Sequence, residues 1–289
     1  MKKALVFGII ICVTGLIIAC NVIDNPSQRN ETNIDQEAYS ELITKLEGLN
    51  HDVEIKPQTK GWLKWLLVAG CDALGAACGT AAGGPVGGAV LGALASIDAI
   101  IEIDGRVITE NPDFVEMKFD KTAVEVEFSE VASRYKEYEE IQVGENHNSI
   151  IRNLKEKYGS SIYTMEENEL AKNISTEYQS INQNSKPFNP DLLKKISPKE
   201  INRLLSNSDS IEEGLNKVSK KYPDVALDLS VLKPIMIGIQ DKSDSEELID
   251  YLDEVIKLVA KSSITNESKR IILSGTSVAV GSSQLWNEL

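Results

Sequence analysis

Residues 61–101, GWLKWLLVAGCDALGAACGTAAGGPVGGAVLGALASIDAII, are the most strongly patterned part of the sequence. Residues 73–97 within this segment carry no charged side chain. Its glycines recur every four residues in two rows, Gly75, Gly79, Gly83 and Gly87, and then Gly84, Gly88 and Gly92. Each glycine inside a helix costs about 1 kcal/mol. We therefore expect these glycines to be helix-packing positions, where a close approach of two backbones compensates for that cost.

The middle of this segment decides between one long helix and two shorter ones. A single helix over residues 73–97 would be about 37 Å long, enough to cross a bilayer core of about 30 Å. Residues 83–85 are Gly-Gly-Pro, however, which is typical of a turn. Most other residues are alanine or glycine, which gain little on transfer into lipid. We therefore predict a helical hairpin with arms over about 63–82 and 86–103.

The rest of the sequence predicts a mainly α protein, a helical array around this Gly/Ala-rich hairpin. A short helix and the hairpin fill residues 35–110, and apolar residues at helical spacing continue through a helical domain at 143–289. Ser197 and Glu200 form a capping box at the start of one helix. Residues 111–142 contain alternating apolar and charged side chains, which favour a small β-hairpin and a connector, with a helix as the alternative.

The first twenty residues, MKKALVFGIIICVTGLIIAC, have the form of an export signal. Two lysines precede an apolar run that is short for a membrane span. The run ends in Ile-Ile-Ala-Cys at residues 17–20, which resembles the lipobox of bacterial lipoproteins. This resemblance implies a signal peptide at residues 1–19 and a lipidated Cys20, carrying palmitate-type chains, as the first mature residue. The polar residues 20–34 are expected to form the lipidated tether.

A lipid on Cys20 places the protein at a membrane of the bacterial cell envelope. Asn21 follows where an aspartate is associated with inner-membrane retention, so the outer membrane or cell surface is favoured. The formal net charge is −14, from 30 basic and 44 acidic side chains. Such a charge repels phosphate backbones, and no basic stripe is present in the sequence. We therefore expect a membrane partner and no nucleic acid.

Two further resemblances rest on the glycine rows and on shorter motifs. The rows resemble glycine zippers, which occur in bacterial outer-membrane lipoproteins and in some class II bacteriocins. The Ala/Gly-rich segment, the element Gly-Glu-Asn-His-Asn at 144–148 and Gln-Leu-Trp at 284–286 together resemble uncharacterised secreted or lipid-anchored bacterial proteins. No activity follows from either resemblance.

Candidate catalytic residues are few because the chain has only two histidines, His51 and His147. His147 is expected at a helix N-terminus, where Asn146 or Asn148 caps the helix and His147 packs locally. A ligand or partner contact by His147 is the alternative, with catalysis as a third interpretation. General-base chemistry needs an orienting carboxylate and a nucleophile, for which the spacing offers no candidate.

Neither the cysteines nor the remaining motifs predict a cofactor or a metal site. Cys71 and Cys78 are two helical turns apart, about 10 Å of rise, which is too far for a disulfide. We expect both to be small buried hydrophobic residues. Residues 275–279, Gly-Thr-Ser-Val-Ala, match a nucleophile elbow except at the last glycine, and we interpret them as part of a packed helix.

Three functions follow from these patterns. The first is a non-enzymatic, lipid-anchored envelope protein whose glycine-zipper hairpin mediates helix packing, self-association or binding of a protein partner. The second is a membrane-active, bacteriocin-like protein whose hairpin inserts into a bilayer. An enzyme with unrecognised residues is the third. Burial of the hairpin's large apolar side chains against later helices would favour the first.

Overall fold

The computed structural model describes residues 26–50, 60–108, 130–208, 210–240, 242 and 245–286. The chain forms two compact units, Met1–Glu37 and Ala38–Leu289. Of the first unit, the described part is the beginning of the first helix. Every contact reported below lies within the second unit.

The described residues confirm a mainly α protein, and they contain no strand. The α-helices are α1 (Pro26–Leu49), α2 (Lys60–Ile108), α3 (Gln142–Tyr158), α4 (Glu167–Ile181), α5 (Pro198–Ser206), α6 (Ile211–Lys221), α7 (Ala226–Gln240), α8 (Ser245–Lys261) and α9 (Asn266–Trp286). Short 3-10 turns occur at Glu139–Ile141, Gly159–Tyr163, Pro190–Lys194 and Pro223–Val225. The alternating segment predicted as a β-hairpin, residues 114–129, lies outside the described ranges.

Local sequence explains where several helices begin. The Ser197 hydroxyl accepts a hydrogen bond from the Glu200 backbone N–H at 3.3 Å, so the predicted N-cap of α5 is confirmed. The second bond of a capping box is replaced, since the Ser197 N–H donates to the Tyr222 hydroxyl and the Glu200 carboxylate accepts from Arg203. Helix α1 begins at Pro26, inside the residues 20–34 predicted as a tether, and not at residue 35. Proline is favourable in the first turn of a helix, and no further proline or glycine follows before Gly48.

Helix α2 is interrupted at Gly84, whose φ of 64° and ψ of −160° are not helical. We call residues 60–83 the first arm and residues 85–108 the second arm. This backbone region is accessible almost only to glycine, so the sequence Gly-Gly-Pro changes the direction of the chain here. Both arms continue as helix on either side of the break.

Helix α9 is enclosed along most of its length. Its residues 271–283 are all buried, which is typical of a helix surrounded on every side. It contacts α2, α3, α7 and α8, and α2 in turn contacts α3, α4, α5 and α7. The core therefore lies where the two arms of α2 meet α9, with the other helices packed around them.

Candidate functional site

The two arms of α2 approach each other at glycine positions. A Cβ added to Gly75 would lie 2.7 Å from the Leu91 carbonyl oxygen and 3.0 Å from the Ala95 Cβ. Side chains added to Gly79 or Gly87 would each collide with the other residue's carbonyl oxygen. Residues 75 and 79 thus face residues 91 and 87, so the arms lie in contact and run in opposite directions.

The second row of glycines also faces helix α9. A Cβ on Gly88 would lie 2.8 Å from the Ser274 Oγ and 3.2 Å from the Ala76 carbonyl oxygen. One on Gly92 would meet the Ala76 Cβ at 3.3 Å and the Val278 Cγ1 at 3.6 Å. The second arm therefore lies against both the first arm and α9 along this row.

Helix α9 contributes its own small and hydroxyl residues to this contact. The Thr80 hydroxyl donates to the Ser274 Oγ at 2.7 Å. A Cβ on Gly275 would lie 3.1 Å from the Ala73 carbonyl oxygen. Ser277 donates to the Ser274 carbonyl oxygen at 3.0 Å, which shows that the nucleophile-elbow match belongs to a packed helix. We call this surface, where α9 lies on the arms, the α9 seat. It is formed by Ala73, Thr80, Gly88 and Gly92 of the arms and by Ser274, Gly275 and Val278 of α9.

The two remaining glycines lie at the break between the arms. A Cβ on Gly83 would approach the Leu192 Cδ1 at 2.6 Å, which is the end of a flexible side chain. At Gly84 the space is open, and the positive φ alone requires glycine. These two positions thus serve the turn, whereas Gly75, Gly79, Gly87, Gly88 and Gly92 serve helix contacts.

A buried carboxyl group lies beside the α9 seat. Asp72 marks one end of the uncharged segment in the sequence, where an exposed charge is expected, but its side chain is 0% exposed. Its Oδ2 accepts hydrogen bonds from Ser96 of the second arm at 2.8 Å and from Ser282 of α9 at 2.5 Å. Asp72 therefore joins three helical segments in the core.

His147 lies against the same carboxyl group and is also 0% exposed. Its Nε2 is 3.6 Å from the Asp72 Oδ2, and its Nδ1 is 3.0 Å from the Asn148 Oδ1. Helix α3 begins at Gln142, so the prediction of His147 at a helix N-terminus capped by Asn146 or Asn148 is wrong. The apolar residues that suggested a start near residue 150 lie about two turns inside a helix that begins at Gln142.

Asn148 fixes the tautomer of His147. The Asn148 Nδ2 donates to the Gly281 carbonyl oxygen at 2.8 Å, which leaves its Oδ1 as the acceptor. The Nδ1 of His147 therefore carries the hydrogen, and the bare Nε2 faces Asp72. Burial raises the pKa of Asp72 well above its usual value, against the effect of its two serine donors. Burial also lowers the pKa of His147 to about 4.

This arrangement has the residue types of a hydrolytic triad without the connections of one. In a triad, the serine hydroxyl bonds to the histidine base, which is oriented by the carboxylate. Here Ser96 and Ser282 both donate to Asp72, and the cluster is closed to solvent. The cluster binds helices to each other, and its geometry offers no path for a substrate.

Long-range packing, and not sequence spacing, creates this cluster. The sequence singled out His147 but offered no carboxylate, because Asp72 comes from a distant helix. Two signals were present: Asp72 stands among Cys71, Ala73 and Leu74, and Ser96 continues the second glycine row by one further turn. A charged residue with apolar neighbours inside a helix is a candidate buried partner for another polar residue.

Other candidate positions give no second reactive cluster. Cys71 and Cys78 are both buried thiols, as expected, and the Cys71 Sγ donates to the Asn202 Oδ1 at 3.6 Å. Among the described residues, no group of three or more His, Cys, Asp or Glu side chains could hold a metal ion. Cys20 and His51 lie outside the described ranges.

An open groove of about 870 Å³ lies between the start of α3 and the end of α4. Its lining is mostly polar and exposed and includes Glu139, Glu145, Asn182 and Asn184. His147 does not line this groove, so the histidine and the groove are separate features.

Comparison of the chain with protein-family models, with curated proteins and with solved structures gives no match in any of the three searches.

Proposed function

We propose that this chain is a non-enzymatic, lipid-anchored protein of the bacterial cell envelope, and that its two arms form a glycine-zipper helical hairpin. The observation that carries the proposal is the α9 seat. The glycine-rich faces of the arms lie against α9 of the same chain, through Gly88, Ser274 and Gly275. The hairpin thus serves to hold the C-terminal helix in the core.

Burial of large side chains supports packing within the chain. Val90 and Leu94 of the second arm are 0% and 1% exposed, whereas Val86, beside the break, is only partly buried. Self-association through the glycine rows would require the arms to separate or α9 to leave its seat, because Gly79 and Gly87 contact each other and Gly88 contacts α9. A protein partner that binds the glycine rows would likewise have to displace the helices packed on them. The zipper therefore acts inside one molecule in this proposal.

The helix nearest to the proposed lipid is linked to the core by buried hydrogen bonds. The Tyr39 hydroxyl of α1 lies 2.5 Å from the Asp228 Oδ1 and 2.6 Å from the Ser268 Oγ. Asp228 belongs to α7 and Ser268 to α9, so Tyr39 connects α1 with two core helices. In this proposal Cys20 precedes α1 in the sequence, and α1 is joined to the core helices through Tyr39.

Lipidation of Cys20 is tested by labelling cells with an alkyne analogue of palmitate. We expect the wild-type chain to be labelled and to sediment with membranes. The variant Cys20→Ser should lose the label and fail to be processed at residue 19. The variant Cys12→Ser is the matched control, since Cys12 lies in the proposed signal peptide, and it should keep the label. Label retained by Cys20→Ser would contradict the proposal.

A membrane-active protein is the second candidate, and one observation favours it. Residues Val68–Ile100 are long and apolar enough to cross a membrane by length and composition. Of the window that meets this criterion, 67% is buried inside the protein, and the break at Gly84 divides the segment. Insertion would therefore need the arms to separate from α9 first.

A dye-leakage assay on anionic liposomes separates the two candidates. Gly88→Val crowds Ser274 and loosens α9 from the arms. Leakage that increases from wild type to Gly88→Val would support membrane activity released by opening. Absence of leakage with both proteins would leave the packing role as the function of the hairpin.

A further inference from the structure

A chain of hydrogen-bonding groups begins and ends on adjacent residues of α9. It starts at the Gly281 carbonyl oxygen, which accepts from Asn148, and it ends at Ser282, which donates to Asp72. Asn148 and His147, which are neighbours in α3, connect the two ends. The ring thus joins α9, α3 and the first arm, and Ser96 adds the second arm.

One position in this ring needs a proton. The Nε2 of His147 and the Asp72 Oδ2 face each other at 3.6 Å, and Nε2 has no hydrogen-bond partner. The Asn148 orientation leaves Nε2 without its own hydrogen, as described above. Two groups that offer only lone pairs repel each other, so a proton on the carboxyl group is needed for the contact to be favourable.

We propose that Asp72 is a proton-binding site: the closed core holds its carboxyl group protonated toward a neutral His147, and the proton is lost when α9 separates from the arms. Closure of the core is then a proton-binding reaction. This inference does not depend on lipidation or on the envelope location proposed above.

The groups that face the pair from each packed element are uncharged. They are Ser96 from the second arm, Ser282 from α9 and Asn148 from α3. The only titratable group that faces Asp72 across a helix boundary in the described contacts is His147. Without a neighbouring cation, a fully buried carboxylate is disfavoured, whereas the neutral acid keeps every hydrogen bond.

The pH window follows from counting protons in both states. In the open state, ordinary pKa values of about 3.9 and 6.5 leave one proton on the pair between those values and none above. The closed pair keeps one proton from about pH 4, where His147 titrates, up to the raised pKa of Asp72. The two states therefore differ only above about pH 6.5, where the closed state binds one proton more and loses stability as the pH rises.

The first test compares urea unfolding of the full chain in detergent for wild type and Asp72→Asn. Asparagine reproduces the protonated acid, since its oxygen accepts from the serines and its amide donates to His147 Nε2. Both proteins contain His147, so its titration cancels in the ratio of the wild-type to the variant unfolding constant and only Asp72 remains. We expect this ratio to rise by up to about tenfold per pH unit from pH 5 upward, until the raised pKa of Asp72 is reached. The wild-type unfolding constant itself should receive no pH-dependent contribution from the pair between pH 5 and about 6.5. Glu140 and Asp228, whose pKa values burial also raises, contribute equally to both proteins. A ratio independent of pH up to 9 would overturn the proposal.

The second test uses the wild-type protein and does not depend on the folding of a variant. The chain has two histidines, so ¹⁵N-histidine labelling gives two sets of imidazole signals in an NMR spectrum. The variant His51→Gln shows which set belongs to His147. We expect His147 to remain a neutral Nδ1–H tautomer from pH 5 to 8. An imidazolium signal for His147 at pH 6 would overturn the proposal, because Asp72 would then be the charged partner of an ion pair.

Discussion

Gly79 and Gly87 lie in opposite arms with their backbones in contact, so that a methyl group on either would collide with the carbonyl oxygen of the other. A backbone oxygen cannot rotate away as a side chain can. This pair therefore sets how closely the arms approach. The α9 seat is formed by residues of both arms, so the same approach places Thr80 and Gly88 against Ser274.

Gly79→Ala should destabilise the protein by about 2–4 kcal/mol, because the added methyl group forces the arms apart. Urea unfolding followed by circular dichroism measures the change. Gly48→Ala is the matched control, since a Cβ at Gly48 meets nothing within 4 Å. That variant should be neutral or more stable by up to about 1 kcal/mol. Equal destabilisation by the two substitutions would argue against close contact of the arms.

Gly84→Asn should be no better tolerated than Gly84→Ala. Asparagine is favoured in the ordinary left-handed region, but φ of 64° with ψ of −160° lies in a region occupied almost only by glycine. We expect both variants to lose about 1–3 kcal/mol. Thermal unfolding of the two variants side by side gives the comparison. A clearly more stable asparagine variant would mean that the turn has a different backbone conformation.

Tyr39→Phe should cost about 1–3 kcal/mol, because it removes a donor from the buried carboxyl group of Asp228. Tyr163→Phe is the control, since the Tyr163 hydroxyl only accepts from the partly exposed Lys155. Its effect should stay within about 0.5 kcal/mol. Chemical unfolding with matched protein concentrations measures both. A loss in Tyr163→Phe as large as in Tyr39→Phe would contradict a specific role for the α1 contact.

Ser282→Ala should raise the pKa of Asp72 further, because the serine hydrogen bond lowers it. The free energy of unfolding falls as the pH rises above about 6.5. With a higher folded-state pKa, this fall continues to a higher pH than in wild type. Thr276→Val is the control, since the Thr276 hydroxyl donates to the Ile272 carbonyl oxygen within α9. Unfolding constants from pH 6 to 10 give both profiles. Identical profiles for the two variants would contradict the contact of Ser282 with Asp72.

Local features of the sequence predicted much of the fold. Helical spacing and the capping box at Ser197 indicated a mainly α protein, and the glycine rows marked where backbones approach. The N-cap signal works because it acts within one turn of the helix. The glycine rows mark close-contact positions within one segment, but the sequence does not show that α9 is one of the partners. The start of α1 was placed too late, since polar composition alone does not distinguish a tether from an exposed helix.

The buried cluster was not predictable from local pattern. His147 meets Asp72 because α3 packs directly on α2 and both helices lie against α9, a relationship between helices far apart in the sequence. The spacing near residue 147 therefore suggested a helix start and a capping asparagine. The Asn148 side chain instead contacts the His147 Nδ1 through its Oδ1 and donates to the Gly281 carbonyl oxygen through its Nδ2.

The most direct measurement of the α9 seat is a disulfide between Thr80→Cys and Ser274→Cys, whose hydroxyl oxygens lie 2.7 Å apart in the wild type. Mild oxidation of the full chain, followed by a non-reducing gel, reports the bond. Thr80→Cys with Ser133→Cys is the control, since Ser133 is exposed and does not contact Thr80. We predict a rapid bond within one chain for the first pair alone. A bond between two chains, or none, would contradict the account of the glycine rows as a seat for the chain's own C-terminal helix.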